Sequence, residues 1–266
     1  MPETAVEPEV SRERDLGSMS FLDHLEELRR RIFLSLIAVA VGFGACWWKV
    51  EKIYGLMQAP IMDALARNHM SEKLVYLNPT EPFNMYLKVA FLAGLFVASP
   101  FVLYQLWLFI SPGLYRHEKR YVLPFMFSTV GLFLAGGYFG YRFVYPYALN
   151  FLIDFGKQFQ PMITIGEYTD LFLTIIIGLG LIFELPILVF FLSLMGIVSA
   201  GWMWRNFRYS ILVIFIIAAI VTPTTDIMNM CIFAAPMVAL YAVSIGVAFL
   251  FHPKRRKARR EALSSE

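Results

Sequence analysis

Six stretches of this chain are continuously apolar: Ile32–Trp48, Val89–Ile110, Tyr121–Tyr141, Leu171–Val198, Tyr209–Thr222 and Ile227–Phe251. A helix needs about 20 apolar residues to cross a bilayer about 30 Å thick, and the first four runs meet that requirement. The fifth, held between Arg208 and Pro223, is too short for a full crossing at about 1.5 Å rise per residue. The sixth carries Pro236 near its middle. Helix is the expected state, because unpaired backbone groups are too costly in lipid. The runs lack the alternation of a β-barrel. Composition agrees: 58% of residues are hydrophobic and 16% charged, with a mean hydropathy of +0.61. Ordinary soluble domains run at about 45–50% apolar and about 25% charged. Disordered chains, collagen-like chains and soluble enzymes are excluded. Two cysteines, Cys46 and Cys231, exclude a disulfide scaffold or a multi-cysteine metal site and read as packing residues.

The N-terminal stretch Met1–Gly17 is polar and acidic, and the first apolar run lacks a small-residue cleavage site. The expectation is a retained first span. Six crossings put both termini on one side, which receives 16 of the 23 Lys and Arg residues against 7 on the other. That bias predicts cytoplasmic termini. The long segments Lys49–Lys88 and Arg142–Asp170 then lie outside, as does the turn Thr222–Asp226. Residues 1–19 read as a disordered cytoplasmic N-terminus, 20–252 as the membrane domain and 253–266 as a basic cytoplasmic tail. The run Lys254–Arg260 attracts anionic lipid at about 1 kcal/mol per basic residue. It has no aromatic interleaving, so nucleic acid is not an expected partner. No internal repeat is visible, which argues against a carrier built from inverted repeats.

Ser20-Phe21-Leu22-Asp23 is a capping-box pattern, followed by Leu22, Leu25 and Leu28 at helical spacing. It predicts a short amphipathic helix entering the first span. Ile53, Leu56, Met57, Ile61 and Leu65 predict an amphipathic outer cap, with Pro60 interrupting it. Asn78–Phe83 is a turn-rich entry to the second span. Trp47, Trp48, Trp202 and Trp204 fall at span ends, as an aromatic belt would.

Ser111-Pro112-Gly113 breaks the helix between the second and third spans and holds Glu118 near the cytoplasmic surface. Glu118 is either neutralised by Lys119 or Arg120 or receives a cationic ligand. Glu184 lies inside the fourth span, beside Pro186, with no Lys or Arg in any span to pair with it. An ionisable residue at that depth marks a functional site by default, either a proton relay or a socket for a partner helix. Asp226, after Thr224 and Thr225, reads as an N-cap at the outer interface. His24, His69, His117 and His252 all lie outside the spans, and there is no phosphate-binding glycine loop. The chain reads as a non-enzyme, without catalytic residues, metal or cofactor.

Several of these segments together resemble the TatC family, the multispanning core of the twin-arginine protein translocase. His24-Leu25-Glu26-Glu27-Leu28-Arg29-Arg30-Arg31 is similar to the family's start. Tyr104-Gln105-Leu106-Trp107 through Phe109 to Ser111–Glu118 is similar to its first cytoplasmic loop. Phe183-Glu184-Leu185-Pro186 looks like its fourth-span glutamate motif. Val221-Thr222-Pro223 followed by Asp226 resembles its last outer turn, one residue longer than the usual Thr-Pro-Pro-Asp. The resemblance runs from about Ser20 to Phe251.

The resemblance implies an all-α, six-span, glove-like concave bundle with short fifth and sixth spans and an outer cap. It implies a receptor in the bacterial cytoplasmic membrane for twin-arginine signal peptides of folded proteins. The signal-binding residues would be Glu118, Phe109, Arg29, Glu27 and Pro112. It further implies the single-span partners TatA and TatB, other TatC copies, and transport driven by the proton-motive force. Glu184, Thr222 and Asp226 would form the polar site for a partner helix, with Ala219–Thr222 as its docking strip. The competing reading is a proton-coupled small-solute transporter using Glu184.

Overall fold

The computed structural model describes residues 21–68, 73–110, 122–159, 162–221 and 227–251. They form ten α-helices and one π-helical turn: α1 Phe21–Trp47, α2 Val50–Arg67, α3 Glu81–Ile110, α4 Val122–Phe139, the π-turn Gly140–Val144, α5 Tyr145–Phe155, α6 Ile165–Ile182, α7 Leu185–Leu194, α8 Ala200–Arg205, α9 Phe207–Val221 and α10 Ile227–Phe251. The only extended pairing among the described residues is a parallel bridge between Val75 and Thr164. The result is an all-α membrane protein whose six spanning segments are α1, α3, α4, α6 with α7, α9 and α10. The amphipathic helix before the first run is continuous with it in α1; its Ser20 cap lies outside the described residues, as do the 1–19 and 253–266 segments.

The helices form an open layer rather than a closed ring. α1 packs along α3, α3 meets α4 and α6, α7 meets α10, and α10 meets α9. Only 11% of the most apolar window of α1 is buried, against 56% for α6–α7. So α1 is an edge helix and α6–α7 is central. The α1–α3 crossing is made by glycine: a Cβ on Gly94 would stand 2.5 Å from the backbone N of Phe43, and one on Gly42 would stand 2.6 Å from the carbonyl oxygen of Gly94. Small residues let membrane helices approach to backbone contact, where dispersion holds them.

Several helix boundaries differ from the apolar runs. Residues 142–155 are not loop. The π-turn carries α4 into α5, with the Tyr145 N–H donating to the Gly140 carbonyl. Pro146 lacks an N–H and its ring would clash with the carbonyl four residues back; the wider π-turn accommodates it. The fourth span is not one helix to Val198. Pro186 leaves the carbonyl of Ile182 without its helical donor, and the chain breaks at Phe183–Glu184 between α6 and α7. α7 then ends at Leu194 in a Schellman turn: Gly196 has φ +76°, and the N–H groups of Gly196 and Ile197 donate to Ser193 and Leu192. Pro60 does not interrupt α2, which runs for 18 residues with Pro60 inside it. The fifth span is short, with 15 residues in α9. The sixth is not short as the resemblance implies, since α10 has 25 residues around Pro236. Cys46 is buried, whereas Cys231 is exposed.

The cap is helical, built by α2 and α5 over the ends of α3 and α6. Its apolar face buries Met57, Ile61, Ala64 and Leu65 against Tyr145, Ala148 and Leu149. Two tyrosines pin α2 to the spans. Tyr168 Oη donates to the Met57 carbonyl at 2.6 Å, and Tyr141 Oη to the Leu56 carbonyl at 2.8 Å. Thr164 caps α6 by accepting from the Glu167 N–H, and Lys88 pairs with Asp170 at the surface. Tyr168→Phe leaves the Met57 carbonyl without that donor at a buried site. The expected loss is about 1–3 kcal/mol, read as a lower midpoint in a thermal melt of the detergent-purified protein. An unchanged melt would mean that water replaces the hydroxyl.

Candidate functional site

The α1–α3 crossing brings together two motifs that are far apart in sequence. Glu27 and Arg31 sit one turn apart on α1, and Gln105 faces them from α3. Arg31 donates to Glu27 Oε1 through Nε at 3.2 Å and through a terminal nitrogen at 2.7 Å. Its other terminal nitrogen donates to Gln105 Oε1 at 3.0 Å. Gln105 is buried. Arg31 is therefore clamped from both helices, and its charge and Glu27's offset one another. Both donors fall on the same oxygen. Glu27 Oε2 is buried and has no hydrogen-bond partner among the described residues.

One turn toward the N-terminus of α1, the His24 ring stacks on Phe109 with centroids 4.4 Å apart and planes 20° apart. Two residues before Phe109, Trp107 is buried. Its Nε1 donates to Thr129 Oγ1 at 3.0 Å, and its ring lies 3.9 Å from Phe191. The end of α3 is thereby tied to α4 and α7, so Phe109 and Gln105 stand on a fixed wall. The rim of this cluster is basic, with Arg29 and Arg30 exposed on α1.

Of the predicted signal-binding residues, the structure joins Glu27 and Phe109 in one surface. Arg29 does not join Glu27; its guanidinium lies over the Phe33 ring at 5.7 Å on the outside of α1. Pro112 and Glu118 lie outside the described residues, as do Thr222 and Asp226. Residues 219–221 close α9. Three members carried no assigned role from sequence: His24, Arg31 and Gln105. The i,i+4 spacing of Glu27 and Arg31 was a legible signal for an ion pair, but nothing local marks Gln105 as their neighbour.

Glu184 occupies the break between α6 and α7. Its backbone carbonyl accepts from the N–H groups of Ile187 and Leu188 at 3.1 and 2.9 Å and starts α7. Its Oε1 is buried with no hydrogen-bond partner among the described residues. The break places a carboxyl at span depth where it can accept a polar group from another helix. Among the described residues no three His, Cys, Asp or Glu side chains stand close enough to hold a metal ion.

An open layer of six spans, a helical cap on one face and a polar cluster built from two helices on the other define a multi-pass helical membrane protein. A family model described as Sec-independent protein translocase protein (TatC) matches residues 23–236. The chain belongs to the TatC family. It is 71% identical over 269 residues to a TatC protein of Koribacter versatilis, covering 100% of this chain and 99% of that one. It is 36% identical to the TatC protein of Desulforapulum autotrophicum, covering 95% of this chain and 92% of that one. A crystal structure described as the twin-arginine translocase receptor TatC superposes with a TM-score of 0.76 at 32% identity, covering 85% of this chain and 97% of that one. These relatives are protein-translocase components rather than enzymes.

Proposed function

We propose that this chain is the signal-receptor core of a twin-arginine translocase in a bacterial cytoplasmic membrane, with both termini cytoplasmic. The observation that carries the reading is the buried Oε2 of Glu27, without a partner among the described residues, beside the Arg31–Gln105 clamp. An arginine guanidinium forms charge-assisted hydrogen bonds to such an oxygen, with a planar fork that lysine lacks. Glu27 has one oxygen to offer, because the other is held by Arg31. A pair of arginines then needs a second carboxylate, and Glu118 supplies it. Phe109, stacked on His24, gives an apolar and aromatic flank for the side chains between. Pro112 is a further member of the recognition surface, and Arg29 at the rim orients acidic groups beside the signal.

Past the charged pair, the apolar part of the signal lies against the open face of the helix layer. Glu184, with Thr222 and Asp226, accepts polar groups from the single-span partners TatA and TatB, along the strip that ends α9. Further TatC copies complete the complex, and the proton-motive force drives export of the folded substrate. A photocrosslinking probe at position 118 in membranes tests the reading. A twin-arginine signal peptide is expected to crosslink and a twin-lysine control is not. Glu118→Ala is expected to abolish export of a twin-arginine precursor while insertion stays normal. No crosslink to either peptide, with insertion confirmed, favours a small-solute carrier working through Glu184.

A further inference from the structure

The capped face holds a groove that signal recognition does not use. One wall is a single stripe of α2: Ile53, Met57, Pro60, Asp63 and Arg67 recur at three- and four-residue spacing and so share a face. The opposite wall is the stripe Leu134, Tyr138, Tyr141 and Arg142, then Pro146 and Asn150, running from α4 through the π-turn into α5. The groove has two compartments that meet at Tyr141, which lines both and whose hydroxyl bonds the Leu56 carbonyl. The lower compartment, of about 290 Å³, is apolar and floored by Leu92 and Phe96 of α3. The upper, of about 250 Å³, is bounded by Asp63, Arg67, Arg142 and Asn150.

We infer that this groove is a phospholipid site that takes a headgroup carrying both a phosphate and a primary ammonium. Three observations carry it. The first is charge. Two guanidiniums and one carboxylate meet at the upper compartment, and none has an ion-pair partner among the described residues. Arg67 and Arg142 match a phosphate, which guanidinium binds through paired donors. Asp63 matches the ammonium. The second is order: the apolar compartment is bounded by the span α4, and the polar one by the segment beyond it. The third is the π-turn. Such turns re-aim side chains, frequently at functional sites, and this one carries both Tyr141 and Arg142. Tyr138 lines the groove and is exposed, as aromatic side chains are at headgroup level.

Native mass spectrometry of the delipidated full chain tests the site, with phosphatidylethanolamine, phosphatidylglycerol or diacylglycerol added. Phosphatidylethanolamine adducts are expected to exceed diacylglycerol adducts by about tenfold or more, the scale of one charged hydrogen bond. The double variant Arg67→Gln/Arg142→Gln should erase that excess, and Asp63→Asn should bring ethanolamine and glycerol headgroups to parity. These side chains are exposed, so melting temperature should hold and separate loss of the site from loss of fold. Equal adducts of phosphatidylethanolamine and diacylglycerol, or an arginine variant that binds like the parent, would overturn the site. A glycerol-headgroup preference that Asp63→Asn leaves unchanged would overturn the amine assignment. Competition by chain-free glycerophosphoethanolamine as strong as by the whole lipid would overturn the apolar compartment's part.

Discussion

Glu27→Gln is expected to lower export of a twin-arginine precursor by about one to two orders of magnitude, with the chain still inserted. The substitution keeps the side-chain length and one carbonyl acceptor for Arg31, so the contact between α1 and α3 through Gln105 survives. It removes the negative charge and converts one of the two acceptors into a donor. Hydrogen bonds to a charged group are worth about 1.5–3 kcal/mol, and about 1.4 kcal/mol is a factor of ten in affinity. In the proposed reading, Oε2, which has no partner among the described residues, receives the signal arginine, so the loss falls on recognition. Export of a reporter with a twin-arginine leader reads the effect, and crosslinking of the leader locates it. Parental export by Glu27→Gln would remove this carboxylate from the recognition surface. A fall in export together with a lower melting temperature would instead assign Glu27 to stabilising Arg31.

Gly94→Ala is expected to destabilise the protein by about 1–3 kcal/mol, the usual cost of an added methyl group in a packed site. The new Cβ would stand 2.5 Å from the Phe43 N and 2.7 Å from its Cα. These are backbone atoms and cannot rotate aside, so α1 and α3 must separate. Gly44→Ala is the matched control, because nothing lies within 4 Å of its Cβ position. In a helix that change should be neutral or mildly stabilising. Separation also acts at a distance, since Glu27 and Arg31 ride on α1 while Gln105 and Phe109 ride on α3. Gly94→Ala is therefore expected to weaken leader crosslinking as well as to lower the melting temperature by about 2–4 °C per kcal/mol. Equal melts for the two alanine variants would show that the crossing tolerates a wider spacing.

The resemblance carried by a few short motifs led to the same family that the comparisons show, and the helical class was legible from the apolar runs alone. Some local features were legible in part. Pro186 stands beside Glu184 in a run that reads as one span, and it divides that span into two helices. Pro60 and Pro146 are breakers by the same rule, yet both sit within helical segments. Burial of the α2 face under α5 outweighs one lost hydrogen bond, and the π-turn makes room for the other ring. The segment after Arg142 looked like loop because polar residues interrupt its apolar run. Its helix is held by Tyr145, Ala148 and Leu149 packing on α2, which no local window contains.

What the sequence by itself determined is the apolar spans taken singly: their existence, their helical state and their approximate extent. In lipid a span must satisfy its own backbone, so that information is local and is written as apolar length and flanking charge. Which helix lies against which was decided only in the tertiary structure. A neighbouring helix and a lipid tail are equally apolar, so apolarity does not distinguish them. The choice rests on shape, as where Gly42 meets Gly94, and on sparse polar contacts, as where Arg31 reaches Gln105 across 74 positions of sequence. The state of Glu27 Oε2 is a product of that crossing, because the packed pair of helices buries it without giving it a partner among the described residues.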